Sequence, residues 1–185
     1  MKQVVILGLG NPGKEYDNTR HNAGRMVAEY FVKKNDLKDF VMDKKSNSLI
    51  SKNPKVLIAL PETFMNKSGF SAGKLIKPKK ELRDLVVIHD DLDLPLGKIK
   101  ISYGKNSGGH KGVESIMRAL KTKNFYRVRV GVISGKNKPT DILKFIVGKF
   151  KPEEEKSFKK IIKTVSEALD TIIESSPERA MSEFN

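Results

Sequence analysis

The order of apolar runs predicts an α/β fold for this 185-residue chain, a single domain over residues 1–185 with a mixed, mostly parallel central sheet flanked by helices on both faces. Three observations predict it. Short aliphatic runs alternate with amphipathic stretches along the chain. No internal repeat, low-complexity segment or linker interrupts them. A 38% hydrophobic content also supplies an ordinary core and exceeds what a disordered chain of similar charge would carry.

Val4 to Leu7 is β-branched and aliphatic and ends at a glycine turn, so it reads as a buried first strand. After a long loop, Met26, Val27, Tyr30 and Phe31 fall at helical spacing and predict a helix from Asn22 to Lys34. Two strands follow, Ser48 to Ser51 and Lys55 to Leu60, with Asn53-Pro54 as the turn between them. Ser68 to Ile76 forms a short helix closed by Lys77-Pro78. Leu85 to His89 is a continuous apolar strand, and Lys98 to Ser102 alternates as a half-exposed strand does. Gly108-Gly109 opens a helix running to Leu120. Val128, Val130 and Val132 share one face of a strand whose other face carries Arg127 and Arg129. Pro152 with Glu153, Glu154 and Glu155 starts a last helix, since Pro suits the first helical position and carboxylates suit the positive end of the helix dipole. Phe158, Ile161, Ile162, Val165, Leu169, Ile172 and Ile173 give that helix its apolar face.

Composition narrows the chemistry. The absence of cysteine excludes disulfides, thiolate nucleophiles and Cys-based metal sites, and three histidines leave little for a metal cage. Catalysis must come from His, carboxylates, amides or hydroxyls. No apolar run reaches the roughly 18–20 residues of a membrane span, and Met1-Lys2-Gln3 leads into too short a run for a secretory signal, so a soluble protein is expected. The net charge of +14 favours a polyanionic partner, because each phosphate neutralised releases counterions. Lys supplies most of that excess, so a Lys-rich composition alone is the competing explanation.

Four polar islands carry the candidate chemistry. Gly8-Leu9-Gly10-Asn11-Pro12-Gly13 fits a dinucleotide pattern, but Pro12 and the polar stretch from Lys14 to Arg20 delay the next helix, which a nucleotide-binding turn would start at once. That loop continues into Thr19-Arg20-His21-Asn22-Ala23-Gly24, where Asn22 is placed to cap a helix and His21 stands just before it. Thr63-Phe64-Met65-Asn66-Lys67-Ser68-Gly69 and His89-Asp90-Asp91-Leu92-Asp93-Leu94-Pro95 each follow a strand, and Ser107-Gly108-Gly109-His110-Lys111-Gly112 opens a helix. Open α/β sheets bind ligands beyond the carboxyl ends of their strands, so these islands can converge on one crevice. Plainer roles stay open at this point: His21 as an ordinary helix-start residue, Asn66 as a cap for the Ser68 helix, Asp91 and Asp93 as turn formers.

Taken together, GLGNPGKEY, TRHNAG, TFMNKSG, HDDLDLPLG and SGGHKG resemble bacterial-type peptidyl-tRNA hydrolase in order and spacing, from Val4 to about Gly148. The resemblance implies a cytoplasmic, monomeric, single-domain α/β enzyme without metal or other cofactor. Its substrate would be peptidyl-tRNA, cleaved at the ester joining peptide to terminal ribose. It casts His21 as general base toward water, Asp90 as the group orienting His21, and Asn66 as donor to the substrate carbonyl and its oxyanion. Asn11, Tyr16 and Met65 match positions lining the peptide site, the Gly108-Gly109 loop matches a mobile gate, and Arg129 matches a residue holding the tRNA terminal phosphate.

Two departures stand out. Lys111 occupies a substrate-contacting position where most members carry Asn, and Ser102 stands where many carry a second phosphate-holding cation, with Lys100 and Lys105 the nearest replacements in sequence. Two further readings remain: a non-catalytic RNA-binding member, as in the related plastid intron-splicing factors, and a nucleotide-binding protein using the glycine loop. Base, orienter and carbonyl donor together favour the enzyme.

Overall fold

The computed structural model describes residues 3–79, 82–135 and 138–185. Its strands are β1 (Val4–Gly8), β2 (Val41–Asp43), β3 (Ser48–Lys52), β4 (Val56–Pro61), β5 (Leu82–Pro95), β6 (Ile99–Tyr103) and β7 (Phe125–Ile133). The helices are α1 (Ala23–Lys34), α2 (Ser68–Leu75), α3 (Lys111–Leu120), α4 (Ile142–Ile146), α5 (Pro152–Glu174) and α6 (Pro177–Phe184). The sheet order is β2-β3-β4-β1-β5-β7-β6. β4, β1, β5 and β7 run parallel at its centre, and antiparallel pairings add β3 and β2 at one end and β6 at the other.

The sheet separates two apolar layers, as side-chain alternation requires. Ile6, Ile58, Ile88 and Val128 point to one side, against Val27 and Phe31 of α1, Phe158, Val165 and Leu169 of α5 and Ala180 of α6. Leu7, Ala59, Val87 and Phe125 point to the other, against Ala72 of α2 and Val113, Ile116 and Leu120 of α3. Burying each large aliphatic or aromatic side chain contributes about 1.5–3 kcal/mol. Helices on both faces and a mainly parallel centre match the expected architecture.

Four differences from the sequence reading have physical causes. The β5 strand does not end at His89: its polar stretch continues along β7, with Asp91 opposite Gly131 and Pro95 opposite Ile133 across a register shift. The bare Gly131 permits this, because a Cβ there would lie 2.0 Å from the Pro95 carbonyl oxygen. Asp91 and Asp93 therefore sit on a bulged strand and not in an exit turn. The other three differences are additional elements: the short edge strand β2, the five-residue α4, which buries no residue, and α6, capped by the Ser176 hydroxyl. At the end of α6 the Asn185 side-chain amide accepts from the Ile101 N–H (2.6 Å) and donates to the Ile101 carbonyl (3.0 Å) on the outer edge of β6.

Candidate active site

The carboxyl ends of β1, β4 and β5 deliver the islands to one rim of the sheet. Leu9 to Asn11 leave β1, Thr63 to Asn66 leave β4, and β5 carries His89 and Asp90. His21 reaches them from a 3-10 turn, Arg20–Asn22, just before α1. Gly24 sets how near it comes: a Cβ at that position would stand 2.1 Å from the Ile88 carbonyl oxygen, so only glycine lets α1 press against β5 two residues before Asp90.

Asn22 does not cap α1. Its side chain makes no capping bond and turns back instead, its Oδ1 accepting from the Asn11 N–H (2.8 Å) and its Nδ2 donating to the Asn11 carbonyl (3.0 Å). Asn11 Oδ1 in turn accepts from the Met65 N–H at 2.7 Å. These three bonds join the β1 and β4 exits to the His21 turn.

Asp90 is the electrostatic centre, 2% exposed, with one carboxylate oxygen, Oδ1, 2.9 Å from His21 Nδ1 and 2.9 Å from His110 Nε2. Burial opposes ionisation of Asp90, but the hydrogen bonds of the two imidazoles, and their charge when protonated, outweigh it and hold the carboxyl well below the usual carboxylate range. An ionised carboxylate only accepts, so both facing ring nitrogens carry protons. The His110 Nδ1 accepts from the Gly112 and Val113 N–H groups at the start of α3, at 3.2 and 3.3 Å. The network thus assigns neutral His110 with its proton on Nε2. His21, with its proton on Nδ1, keeps Nε2 free of any hydrogen bond to the described residues.

A further layer stands behind these groups. The Nδ1 of His89 donates to the Asp90 main-chain carbonyl at 2.7 Å, and its Nε2 faces Arg127 Nη1 at 3.4 Å. Burial first, then repulsion from Arg127 and from His110 whenever that ring is protonated, hold the His89 imidazole well below its ordinary range, so it is neutral. Arg127 is 3% exposed, and its Nη2 donates to the Asn106 carbonyl at 2.8 Å, at the base of the glycine loop. Burial, reinforced by the charge of Arg129, lowers Arg127 to about 10, still cationic at neutral pH. Although Arg127 shares a strand face with Arg129, it is an internal strut.

An open cleft of about 520 Å³ gathers Asn11, Tyr16, His21, Met65, Asn66 and Lys111. A neighbouring cleft of about 460 Å³, on the Asp90 side of His21, is lined by the Ser107 to Lys111 loop. Apolar residues of α4 line both, Leu143 being 70% exposed. Positive φ at Gly108 (63°) and Gly109 (82°) makes the turn that brings His110 and Lys111 to the rim. Asn66 is exposed, has no hydrogen bond to the described residues, and α2 has no side-chain cap, so the capping role finds no support. Arg129, Lys100 and Lys105 line neither cleft. Arg129 is half-buried, its Nε donating to Asp91 Oδ2 at 2.7 Å, and stands directly across from exposed Lys100 in the β6–β7 register. Ser102 pairs in the same register with Arg127 and is buried, so it offers no side chain to a phosphate, while Lys105 lies exposed beyond β6.

His110 was missing from the sequence-derived site, although a histidine at a helix start after Gly-Gly was the available signal. His21, Asp90 and His110 also offer three potential ligand atoms within 4.8 Å of one another, the set among the described residues able to hold a metal ion. Two of those ring nitrogens are already engaged as donors to Asp90.

Residues 5–185 match the family model described as Peptidyl-tRNA hydrolase. The chain belongs to the peptidyl-tRNA hydrolase family. It is 41% identical to the peptidyl-tRNA hydrolase of Aquifex aeolicus over 184 residues, covering 98% of this chain and 95% of that one. Its identity to the Thermodesulfovibrio yellowstonii peptidyl-tRNA hydrolase is 40%, with 98% of each chain covered. The crystal structure of peptidyl-tRNA hydrolase from Acinetobacter baumannii superposes with a TM-score of 0.88 at 28% identity, covering 99% of this chain and 94% of that one. Membership makes the chain a hydrolase of the peptidyl-tRNA ester bond. No helix among the described residues is long and apolar enough to cross a membrane.

Proposed function

We propose that the chain, acting as one domain and as a monomer in the cytoplasm, cleaves peptidyl-tRNA with a water activated by His21 and with no need of a metal ion. The reading rests on one observation above the others: His21 Nδ1 is fixed on buried Asp90 at 2.9 Å while Nε2, beside the clefts, has no hydrogen bond to the described residues.

In this mechanism water attacks the ester carbonyl carbon as His21 Nε2 takes its proton. Asp90 then faces an imidazolium, and their attraction lowers the barrier. Asn66 donates its amide N–H to the carbonyl oxygen as that oxygen becomes an oxyanion. Collapse expels the ribose oxygen, which recovers the proton from His21, leaving a free tRNA hydroxyl and a peptide carboxylic acid that loses its remaining proton to solvent. Asn11, Tyr16, Met65 and Lys111 bind the peptide side, and Arg129, with Lys100 and Lys105, holds the tRNA phosphate.

The test is release of the acyl group from N-acyl-aminoacyl-tRNA, with free aminoacyl-tRNA as control and with and without a chelator. Turnover should survive the chelator, and His21→Ala should slow it by about 10²–10⁴, the usual worth of a general acid–base group, with the fold intact. Binding without turnover would return the non-catalytic RNA-binding reading, and loss of activity in chelator would assign the His21, Asp90 and His110 cluster to a metal.

A further inference from the structure

Arg20, immediately before the proposed base, is buried and makes a set of contacts that the reaction scheme leaves unused. Its Nη2 pairs with Glu154 Oε2 at 2.6 Å, and both side chains are nearly inaccessible. Its Nη1 donates to the Lys149 carbonyl (2.9 Å) and the Phe145 carbonyl (3.3 Å), and its guanidinium carbon lies 4.2 Å from the centroid of the Phe145 ring. The Arg20 N–H donates to the Gly148 carbonyl at 3.1 Å, and Thr19 bridges Lys149. Glu154 is held in its turn by the Lys151 N–H at 2.8 Å and the Ser134 hydroxyl.

These bonds converge on the segment that follows α4. No residue of α4 is fully buried and only Phe145 packs, partly buried, against the core, so its C-terminal end is seated largely by the stretch of chain carrying Thr19, Arg20 and His21. The Lys138–Asp93 ion pair ties the chain before α4, on the exposed side. Adjacent residues of one 3-10 turn thus point three ways: Arg20 to α4, His21 to Asp90, Asn22 to Asn11.

We propose that Arg20 is a positioning residue for the hydrolysis: its guanidinium, pinned by Glu154, holds the apolar α4 cover and the His21 turn together as one body. A planar fork that bonds two carbonyls and a carboxylate while stacking on a ring is specific to arginine, and an ammonium cannot reproduce it. The inference rests on the proposed role of His21, yet its first readout does not need activity.

The chain has no cysteine, so Lys144→Cys on α4 gives one labelling site for a nitroxide. In the parent background the label should report a helix fixed to the body. In Arg20→Lys it should move faster at a temperature where circular dichroism shows the fold retained. Misplacing a reacting group by about 1 Å can cost about 10²-fold, so kcat/KM for N-acyl-aminoacyl-tRNA should fall at least about tenfold in Arg20→Lys. Glu154→Gln, which keeps an acceptor for Arg20, should show both effects more weakly and serves if Arg20→Lys does not fold. An α4 label as immobile as in the parent, or kcat/KM within about threefold of the parent, would overturn the proposal; RT ln 3 is about 0.6 kcal/mol, the size of thermal energy. A parent protein with no hydrolysis would instead remove the functional reading and leave the mobility result to decide the role of Arg20.

Discussion

Replacing Asp90 by Asn removes one charge at the site and almost no volume. In the parent, Asp90 Oδ1 stands 2.9 Å from His21 Nδ1, and once His21 has taken a proton the pair is a formal ion pair. At an effective dielectric constant of about 20, unit charges at that separation attract by 332/(20 × 2.9), or about 6 kcal/mol. Asparagine can still present an oxygen to the Nδ1–H, and a neutral hydrogen bond returns about 1 kcal/mol. Allowing for partial charge development in the transition state, the barrier should rise by about 3–5 kcal/mol, or about 10²–10⁴ in kcat at 1.36 kcal/mol per factor of ten.

The pH dependence of stability gives a second readout with a definite sign. Because the folded pKa of Asp90 is depressed, its contribution is fully present above the unfolded value near 3.8 and is lost as the pH falls through the folded value. Asp90→Asn should therefore melt below the parent at pH 7, and the gap should narrow in acid. Single-turnover hydrolysis of N-acyl-aminoacyl-tRNA between pH 6 and 8, with melting curves from pH 7 downward, measures both. Activity within tenfold of the parent across that range would refute the assignment of Asp90 as the partner of a protonated His21.

Asn66→Ala should raise the barrier by about 3 kcal/mol, the worth of one oxyanion donor, and leave the melting temperature nearly unchanged because the amide has no hydrogen-bond partner among the described residues. Loss confined to thermal stability would instead make it a structural residue. Arg129→Ala should flatten the dependence of log affinity on log salt by about one unit, read from tRNA binding over a salt series. An unaltered slope would confine Arg129 to its bond with Asp91. Lys111→Asn should change kcat/KM by less than about tenfold, since an ammonium replaces an amide donor though not an amide acceptor. A hundredfold gain would mark the natural protein as attenuated, and a large loss would make Lys111 a substrate-binding group of its own.

Elements with strong local signatures were legible in the sequence. The β1, β4 and β7 runs are aliphatic and buried, and α5 carries a proline start, a first turn of glutamates and a long apolar stripe. What escaped depends on neighbours. The polar end of β5 is strand because β7 runs beside it, and the exposed apolar residues of α4 and β2 give no amphipathic pattern against a core. Ser176-Pro177-Glu178 is a local helix start of the kind a sequence does display, a capping hydroxyl followed by proline and a carboxylate. In the site, His21 and Asp90 are 69 residues apart, and no periodicity relates them; family resemblance supplied that pair. It did not supply His110 on the same oxygen, or the burial of Arg127, because charge patterning places an arginine on a face without saying whether the next element covers it.

The two margins of the sheet meet the hazard of open backbone in different ways. An unpaired strand edge is a template on which another chain can add a strand. At the β2 margin the strand is only three residues long, too short to guide such pairing. At the β6 margin the Asn185 amide offers one acceptor and one donor to Ile101, the same pair of functions that a backbone residue of an added strand would offer. That single side chain imitates a neighbouring strand at the middle of β6 without extending the sheet. It occupies the outward N–H and carbonyl of Ile101, on which an added strand would pair, while Lys100, one residue away, is exposed to solvent. One margin is thus protected by being short, the other by a side chain of the last residue standing in for a strand.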